Sequence, residues 1–174
     1  GQTVVRLKGG DPAVFARTAE EVEALMAAGI EFEIVPGVTA ALAAGSYAGI
    51  PVTHRDLASA VALVTGHERD GKGASAIDWA ALAKFPGTLV IYMGVTTAQH
   101  WTAALMEAGK PADTPAAIVR HCSRPDQETT RCTLAEVAGY LTGEKKIRPP
   151  VIVIVGPVTE LAPDWNWFQK RPLF

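Results

Sequence analysis

Residues 4–15, VVRLKGGDPAVF, contain the pattern that decides the fold. The apolar residues at its start favour a strand, while Gly9 and Gly10 remove side chains where the chain must turn or approach a ligand closely. Asp11 can accept hydrogen bonds from free amides, and Pro12 suits the first position of a helical turn. The stretch predicts either a strand that ends at a small-molecule site, as in open α/β sheets, or a tight turn that binds no ligand.

The same alternation continues beyond this turn. Thr18 and Glu21 form a T-x-x-E pattern that predicts a capped helix, and Phe32–Val35 predicts a second, parallel strand. The next turn, PGVTAA, places Thr39 as the cap of an alanine-rich helix. Close packing explains the interior alanines, whereas Thr39 and Ala40, beside exposed amides, are candidate ligand positions.

The second half repeats strands and helices, which indicates an α/β fold. Predicted strands lie at 61–65, 88–93, 116–119, 128–132 and 151–155. Predicted helices begin at the cap Asp78, near Thr97, and at Thr133, which is predicted to form a capping box with Glu136. Residues 68–75, ERDGKGAS, are polar and rich in glycine, which is typical of a lid or a linker. We therefore predict one domain over residues 1–70 and another over residues 71–174.

Composition narrows the class of protein. The 174 residues carry a net charge of −2, which argues against a nucleic-acid binder with a broad basic face. The two cysteines form no disulfide framework or CxxC site, and the four histidines show no metal spacing, so we predict no metal and a reducing cytoplasm. We also predict no membrane span.

The two ends of the chain carry expectations of their own. The sequence opens directly on a predicted strand, so we expect it to be a piece of a longer protein that lacks its N-terminal part. The closing residues, DWNWFQKRPLF, contain many aromatics, which predicts that they pack on the body of the protein or on a second subunit.

Eight segments in order resemble the tetrapyrrole methylase family, and within it the uroporphyrinogen-III C-methyltransferases. They are VVRLKGGDPAVF, FEIVPGVTAA, YAGIPVTHRD, VTGHE, TLVIYMG, TPAAIV, PPVIVIVG and WFQKRPLF. The resemblance covers essentially the whole chain. It implies two α/β domains with S-adenosylmethionine in the cleft between them, a fold different from the Rossmann-type methyltransferases, with the N-terminal domain incomplete here.

The resemblance also implies a set of cofactor-binding residues at strand ends and helix starts: Gly9, Gly10, Asp11, Val14, Thr39, Ala40, Met93 and Cys122. The family often has glycine where this chain has Cys122, which can still offer its backbone groups. The acid and lysine that the family assigns to proton transfer fall in the missing part, so no catalytic residue is assigned.

The reaction implied is transfer of two methyl groups to ring carbons of uroporphyrinogen III, which gives precorrin-2 and S-adenosylhomocysteine for sirohaem or cobalamin. Because the substrate carries many carboxylates, the residues expected at its pocket are Arg17, His54 and Arg55. Arg6 and Lys8 are weaker candidates for the same pocket, because alternate positions of a strand point to opposite faces. The alternative for each of these residues is a solvated surface charge.

Three alternatives remain open. The first is another tetrapyrrole (precorrin) methyltransferase, the second a related diphthine or ribosomal-RNA methyltransferase, and the third a catalytically silent module that binds S-adenosylmethionine or forms a dimer. The expected partners are a small-molecule tetrapyrrole and, since the family is usually a homodimer, a second copy of the chain. No nucleic acid or membrane is expected.

Overall fold

The computed structural model describes residues 1–67, 76–144, 146–161, 165 and 167–168. Backbone contacts divide the chain into Gly1–Ala40, called here the amino-terminal unit, and Ala41–Phe174, called the sheet unit. The boundary predicted between residues 70 and 71, and the lid or linker predicted at 68–75, lie outside the described residues.

The described part of the sheet unit is a mixed α/β structure. Its strands are β1 (Val61–Thr65), β2 (Thr88–Tyr92), β3 (Pro115–Arg120), β4 (Glu128–Thr133) and β5 (Val151–Val155). Helix α1 (Thr18–Ala27) belongs to the amino-terminal unit, and the other helices are α2 (Ala40–Ala48), α3 (Trp79–Ala83), α4 (Ala98–Glu107), α5 (Leu134–Thr142) and a 3₁₀ helix (Pro157–Glu160). The strands predicted in this half are confirmed to within two residues at each end.

The strands form one sheet in the order β1-β2-β5-β3-β4. Only the β1–β2 pair is parallel among the described strands; β5 is antiparallel to both of its neighbours, β2 and β3. Strands β1, β2 and β3 therefore run in the same direction. Their carboxyl ends consequently lie at one edge of the sheet. In open α/β sheets, ligands bind at the carboxyl ends of the strands.

Both faces of the central strands are covered. Alternate residues such as Leu89, Ile118 and Val153 pack with Trp101 of α4 and Leu134 of α5 in one buried cluster. The intervening residues, including Val90, Ala117 and Ile154, are also fully buried. Strands buried on both faces have continuous apolar sequences, which explains TLVIY and VIVIV.

Two predicted helix caps of the sheet unit are confirmed. The Asp78 carboxylate accepts a hydrogen bond from the Ala81 amide at 2.9 Å at the start of α3. Thr133 and Glu136 form the predicted capping box of α5, in which the Thr133 amide donates to the Glu136 carboxylate at 2.8 Å.

The strands predicted in the amino-terminal unit are wrong. Residues 4–8 and Phe32–Val35 do not form strands, and Val4 and Leu7 are 86% and 83% exposed. No backbone-to-backbone hydrogen bond joins residues 1–10 or 31–38 to another described residue. The sequence has strand character there, but a strand also needs a neighbour with which to form a ladder.

The capping box predicted for α1 is also wrong. Helix α1 begins at Thr18, after Arg17 in the left-handed region with a φ of 56°. The Thr18 hydroxyl donates to the Pro12 carbonyl, and Glu21 pairs with Lys8 at 2.6 Å. A basic partner within reach therefore takes the Glu21 carboxylate away from the helix start.

The aromatic tail packs on the body where it is described. Trp167 stacks on Tyr47 with ring centroids 5.5 Å apart, and its indole N–H donates to the Ser46 carbonyl at 2.9 Å. Phe168 meets Tyr47 edge to face at 4.9 Å. The prediction is confirmed for these two residues.

Candidate functional site

The turn at Gly9-Gly10-Asp11-Pro12 is organised by the Asp11 carboxylate. One carboxylate oxygen accepts from the Ala13 amide at 2.8 Å, and the other accepts from the Gly37 amide at 3.1 Å. Gly10 has a φ of 80°, a region that side chains rarely adopt. Asp11 thus connects the first predicted ligand turn to the second.

The two turns of the amino-terminal unit are in direct contact. A Cβ at Gly37 would lie 2.2 Å from the Gly10 carbonyl oxygen, and a Cβ at Gly10 would lie 3.8 Å from the Thr39 Cα and 3.9 Å from the Ala40 amide. A Cβ at Gly9 would meet nothing within 4 Å. The structure therefore brings Gly10 and Asp11 together with Thr39 and Ala40, and leaves open space beside Gly9.

Other predicted residues of this unit lie just beyond the first turn. The Val14 amide donates to the Asp11 carbonyl at 3.2 Å, and its side chain is partly buried. Arg17 is 83% exposed and pairs with Glu20 at 3.1 Å. A surface ion pair of this kind contributes little to stability, so Arg17 can exchange partners at small cost.

Lys8, which the sequence pattern ranked below Arg17, is a partly buried cation of this unit. Its side chain is 11% exposed, and its ammonium lies 2.6 Å from the Glu21 carboxylate and also donates to the Ala16 carbonyl. The hydrogen bond from Lys8 lowers the pKa of Glu21. Lys8 therefore holds the segment after the turn against α1.

The carboxyl edge of the sheet carries two further predicted cofactor residues. Gly66, Met93 and His121 follow β1, β2 and β3 directly, and β5 separates the ends of β2 and β3. With strands about 4.8 Å apart, those two ends lie about 10 Å from each other. The predicted cofactor residues Met93 and Cys122 therefore share one edge of the sheet.

Met93 and Cys122 present different surfaces at this edge. Met93 has a φ of 53° and its side chain is 50% exposed, so an apolar thioether faces solvent. Cys122 is partly buried, and burial raises the pKa of its thiol. A thiol that stays protonated is a poor nucleophile. The groups of Cys122 that can bind a ligand are therefore its backbone N–H and C=O.

His54 and Arg55 lie on the loop between α2 and β1. The His54 amide donates to the Ala58 carbonyl at 2.9 Å, and its Nδ1 accepts from the Asp56 amide at 3.2 Å. Arg55 is exposed and forms no ion pair with the residues that the structure describes. Hydrogen bonds thus hold the loop at His54, while the exposed Arg55 guanidinium is available to an anion.

Sequence reasoning missed three polar residues near the edge. The Tyr92 hydroxyl accepts from the Ala41 amide at 2.9 Å and ties the end of β2 to the start of α2. His121 lies 2.5 Å from Asp126, and the Gln127 side chain is buried. The available signal was the polar segment HCSRPDQ directly after a buried strand, where a ligand site is expected.

In the residues that the structure describes, no group of three or more His, Cys, Asp or Glu side chains is arranged to hold a metal ion. None of the helices in that part of the chain has the length and apolar character needed to cross a bilayer.

A family model described as tetrapyrrole (corrin/porphyrin) methylases matches residues 1–138. The chain belongs to the tetrapyrrole methylase family. This confirms the resemblance found in the sequence.

Named relatives of this tetrapyrrole methylase are longer than the chain. It is 52% identical over 161 residues to the S-adenosyl-L-methionine-dependent uroporphyrinogen III methyltransferase of Methanosarcina barkeri, covering 92% of this chain and 63% of that relative. It is 45% identical over 172 residues to the siroheme synthase of Zymomonas mobilis, covering 98% of this chain but 35% of that protein.

Solved structures confirm the tetrapyrrole methylase fold. The uroporphyrin-III C-methyl transferase of Thermus thermophilus, complexed with S-adenyl homocysteine, is 39% identical and superposes with a TM-score of 0.77 over 91% of this chain and 68% of that one. The cobalamin biosynthetic enzyme cobalt precorrin-4 methyltransferase gives the same TM-score at 27% identity.

Proposed function

We propose that the chain acts as part of an S-adenosylmethionine-dependent uroporphyrinogen-III C-methyltransferase, which adds two methyl groups to ring carbons of its substrate and yields precorrin-2 for sirohaem or cobalamin. The identities to the M. barkeri and T. thermophilus proteins support this substrate class. The observation that carries the proposal is the contact between the Gly10 and Gly37 turns.

That contact fits the cofactor. The backbone at Gly9 is open because no side chain covers it, and the left-handed Gly10 excludes most other residues. Asp11 fixes both turns with its two carboxylate oxygens, so their backbone groups are held in place before a ligand arrives. A preorganised polar backbone is what a flat, polar ligand needs for tight binding.

In this proposal the cofactor-binding residues are Gly9, Gly10, Asp11, Val14, Thr39, Ala40, Met93 and Cys122. The glycines and Thr39–Ala40 offer backbone groups. Met93 offers an exposed apolar surface, and Cys122 offers its amide and carbonyl.

S-adenosylmethionine, when bound, supplies a sulfonium methyl group that is already electrophilic. The reduced pyrrole is electron-rich, so the chain has to orient the two reactants and exclude water rather than provide a nucleophile. Arg17, His54 and Arg55 are proposed to contact the substrate carboxylates, and the exposed guanidiniums of Arg17 and Arg55 can form bidentate pairs with them. The catalytic acid and base stay unassigned.

The strongest second candidate is a precorrin methyltransferase, which the fold of cobalt precorrin-4 methyltransferase favours. Its identity to this chain, 27%, is lower than the 39% of the uroporphyrin-III enzyme. A silent cofactor-binding or dimer-forming module is the third, since the chain covers 63% of its M. barkeri relative.

We also propose that the protein works as a homodimer in the cytoplasm, with a small-molecule substrate and no nucleic-acid or membrane partner. The net charge of −2 supports the absence of a nucleic-acid partner. Size-exclusion chromatography with light scattering tests the dimer.

The experiment is calorimetric titration with S-adenosylhomocysteine of the parent chain, Gly10→Val and a control, Gly139→Ala. A β-branched residue is disfavoured at a φ of 80°, so we expect Gly10→Val to weaken binding at least about tenfold. Gly139 lies on α5, where a Cβ meets nothing within 4 Å, so Gly139→Ala should bind like the parent. Circular dichroism confirms that each variant folds.

A parent chain that binds S-adenosylhomocysteine is then assayed with uroporphyrinogen III. A doubly methylated product confirms the proposed reaction, and turnover of a precorrin instead identifies the second candidate. Binding without turnover of either substrate supports the silent module. A folded parent chain that does not bind S-adenosylhomocysteine overturns the proposal.

A further inference from the structure

Residues 121–127, HCSRPDQ, form a closed turn at the carboxyl end of β3, called here the β3 turn. Its backbone is held at three points. The His121 amide donates to the Pro150 carbonyl at 3.2 Å, the Arg124 amide donates to the His121 carbonyl at 3.0 Å, and the Gln127 amide donates to the Arg124 carbonyl at 2.9 Å.

Two side chains close the turn from within. His121 Nδ1 lies 2.5 Å from Asp126 Oδ2; the imidazole is 13% exposed and the Asp126 side chain 54%. The Gln127 carboxamide oxygen accepts from the Ser123 amide at 2.8 Å, while its nitrogen donates to the Tyr47 carbonyl at 3.2 Å. His121 and Ser123, the neighbours of Cys122 on either side, are therefore both fixed.

The same two neighbours have unusual backbone conformations. His121 has a φ of 49° and Ser123 a φ of 67°, in the left-handed region that residues other than glycine seldom adopt. Such conformations persist where surrounding contacts enforce them. The bonds to Asp126 and Gln127 are those contacts.

The residue between them is left unpaired. In the part of the chain that the structure describes, neither the amide nor the carbonyl of Cys122 forms a hydrogen bond. Cys122 lies at the sheet edge that also carries Met93, where unpaired backbone groups are available to a ligand.

We propose that the His121–Asp126 pair is a positioning device that fixes the β3 turn and thereby presents the Cys122 backbone N–H and C=O to the S-adenosyl cofactor. The inference rests on the proposed function for the identity of the ligand. In this proposal His121 and Asp126 do not themselves contact the cofactor. They act through the backbone of Cys122.

The imidazole lies closer to Asp126, and is better shielded from solvent, than the neighbouring guanidinium. The hydrogen bond from His121 is the largest cause of the lowered pKa of the Asp126 carboxyl. Arg124 lies farther away, 3.4 Å from the other carboxylate oxygen, and its side chain is 61% exposed. Solvent screens an exposed pair of this kind, so Arg124 serves as the matched control.

The test uses four single variants and one double variant of the full chain, titrated with S-adenosylhomocysteine. Asp126→Ala removes the bond, and His121→Gly removes it while relieving the left-handed backbone. His121→Asn keeps both a hydrogen-bonding nitrogen near the Nδ1 position and a residue that tolerates this conformation. Arg124→Ala removes only the exposed ion pair.

We expect Asp126→Ala and His121→Gly each to weaken binding about tenfold, and the double variant to weaken it no further because both remove one bond. His121→Asn and Arg124→Ala should stay within about threefold of the parent. Parent-like binding by Asp126→Ala and His121→Gly, additive losses in the double variant, or a tenfold loss in the conservative His121→Asn would each overturn the proposal.

A second readout does not need the cofactor. The rate at which an aromatic disulfide reagent modifies the Cys122 thiol, located by peptide mass, should rise about tenfold in Asp126→Ala but not in Arg124→Ala, because the turn opens. Unchanged rates would show that the pair does not fix the turn. If the parent fails to bind S-adenosylhomocysteine, the proposed function and the cofactor role fall, and the thiol rates still decide the role of the pair in the turn.

Discussion

The amino-terminal unit and the sheet unit each contain a run with strand-forming residues, and the two runs have opposite outcomes. VIVIV at 151–155 is a strand between two neighbours, with four of its five residues buried. VVRLK at 4–8 is not a strand, and Val5 is 79% exposed. The difference shows that an apolar run becomes a strand when partners for its backbone are present, whatever its own propensity.

Helices α1 and α4 differ in burial in the same way as the two runs. Helix α1 has no buried residue, although Val22, Leu25 and Met26 give it an apolar side. Helix α4 buries Trp101 and Leu105 completely, and the Trp101 indole donates to the Gly94 carbonyl at 2.9 Å. A stripe of apolar residues contributes to stability only where another element covers it.

Hydrogen exchange should show the largest difference between the two units. We expect the amides of residues 2–8, which have no backbone acceptor among the described residues, to exchange near the unprotected rate. The amides of β2 should be protected by about 10⁴-fold or more, because they open only with the whole sheet. Equal protection of both segments, measured by mass spectrometry, would remove the contrast.

One substitution in each unit tests whether the two units differ in their contribution to stability. Trp101→Ala leaves a cavity and an unpaired Gly94 carbonyl, so we expect it to lower the free energy of unfolding by about 3–5 kcal/mol. Val5→Ala, at an exposed position, should change it by less than about 0.5 kcal/mol. Denaturant unfolding measures both, and a large loss in Val5→Ala would show that the amino-terminal unit has a hidden core.

The smallest expected effect is on the pH dependence of stability, through the partly buried Cys132 thiol of the sheet unit. Burial, with a smaller contribution from Glu136, raises the pKa of Cys132 to about 12, whereas an unfolded thiol titrates near about 8.5. The unfolded chain therefore loses this proton first, so stability present below about pH 8.5 is lost as the pH rises toward 12.

We expect the parent to lose more stability than Cys132→Ala between pH 8 and pH 10, by less than about 1 kcal/mol because the thiol is partly exposed. Denaturant unfolding at the two pH values measures the difference. The same loss in both proteins would mean that Cys132 does not titrate abnormally.

The sequence predicted the sheet unit well because its local signals agree. Asp78 and Thr133 were identified as caps, and both caps form where the apolar periodicity placed a helix. The order of strands could not be predicted, since it depends on pairing between residues that are distant in the chain. VIVIV gives no indication that it pairs with both β2 and β3.

The sequence indicated candidate site residues where a turn or a helix cap requires a particular type of residue. Gly10, Asp11 and Thr39 were selected from turn patterns, and the structure brings them together. His121 and Gln127 were missed because their importance comes from the particular atoms they meet, Asp126 and the Ser123 amide. Lys8 was ranked low because alternation alone does not reveal that Glu21 lies within reach.

The position of β5 has a consequence for synthesis of the protein. The ribosome makes this strand last among the described strands, yet it lies between β2 and β3 and joins the β1–β2 pair to the β3–β4 pair. Until Val155 has emerged, the nascent chain can hold two separate strand pairs, in which β2 and β3 are exposed edges in addition to β1 and β4 and invite pairing with other chains. We expect the sheet to assemble only after translation of this segment, so the protein depends on protection of those edges while it is being made.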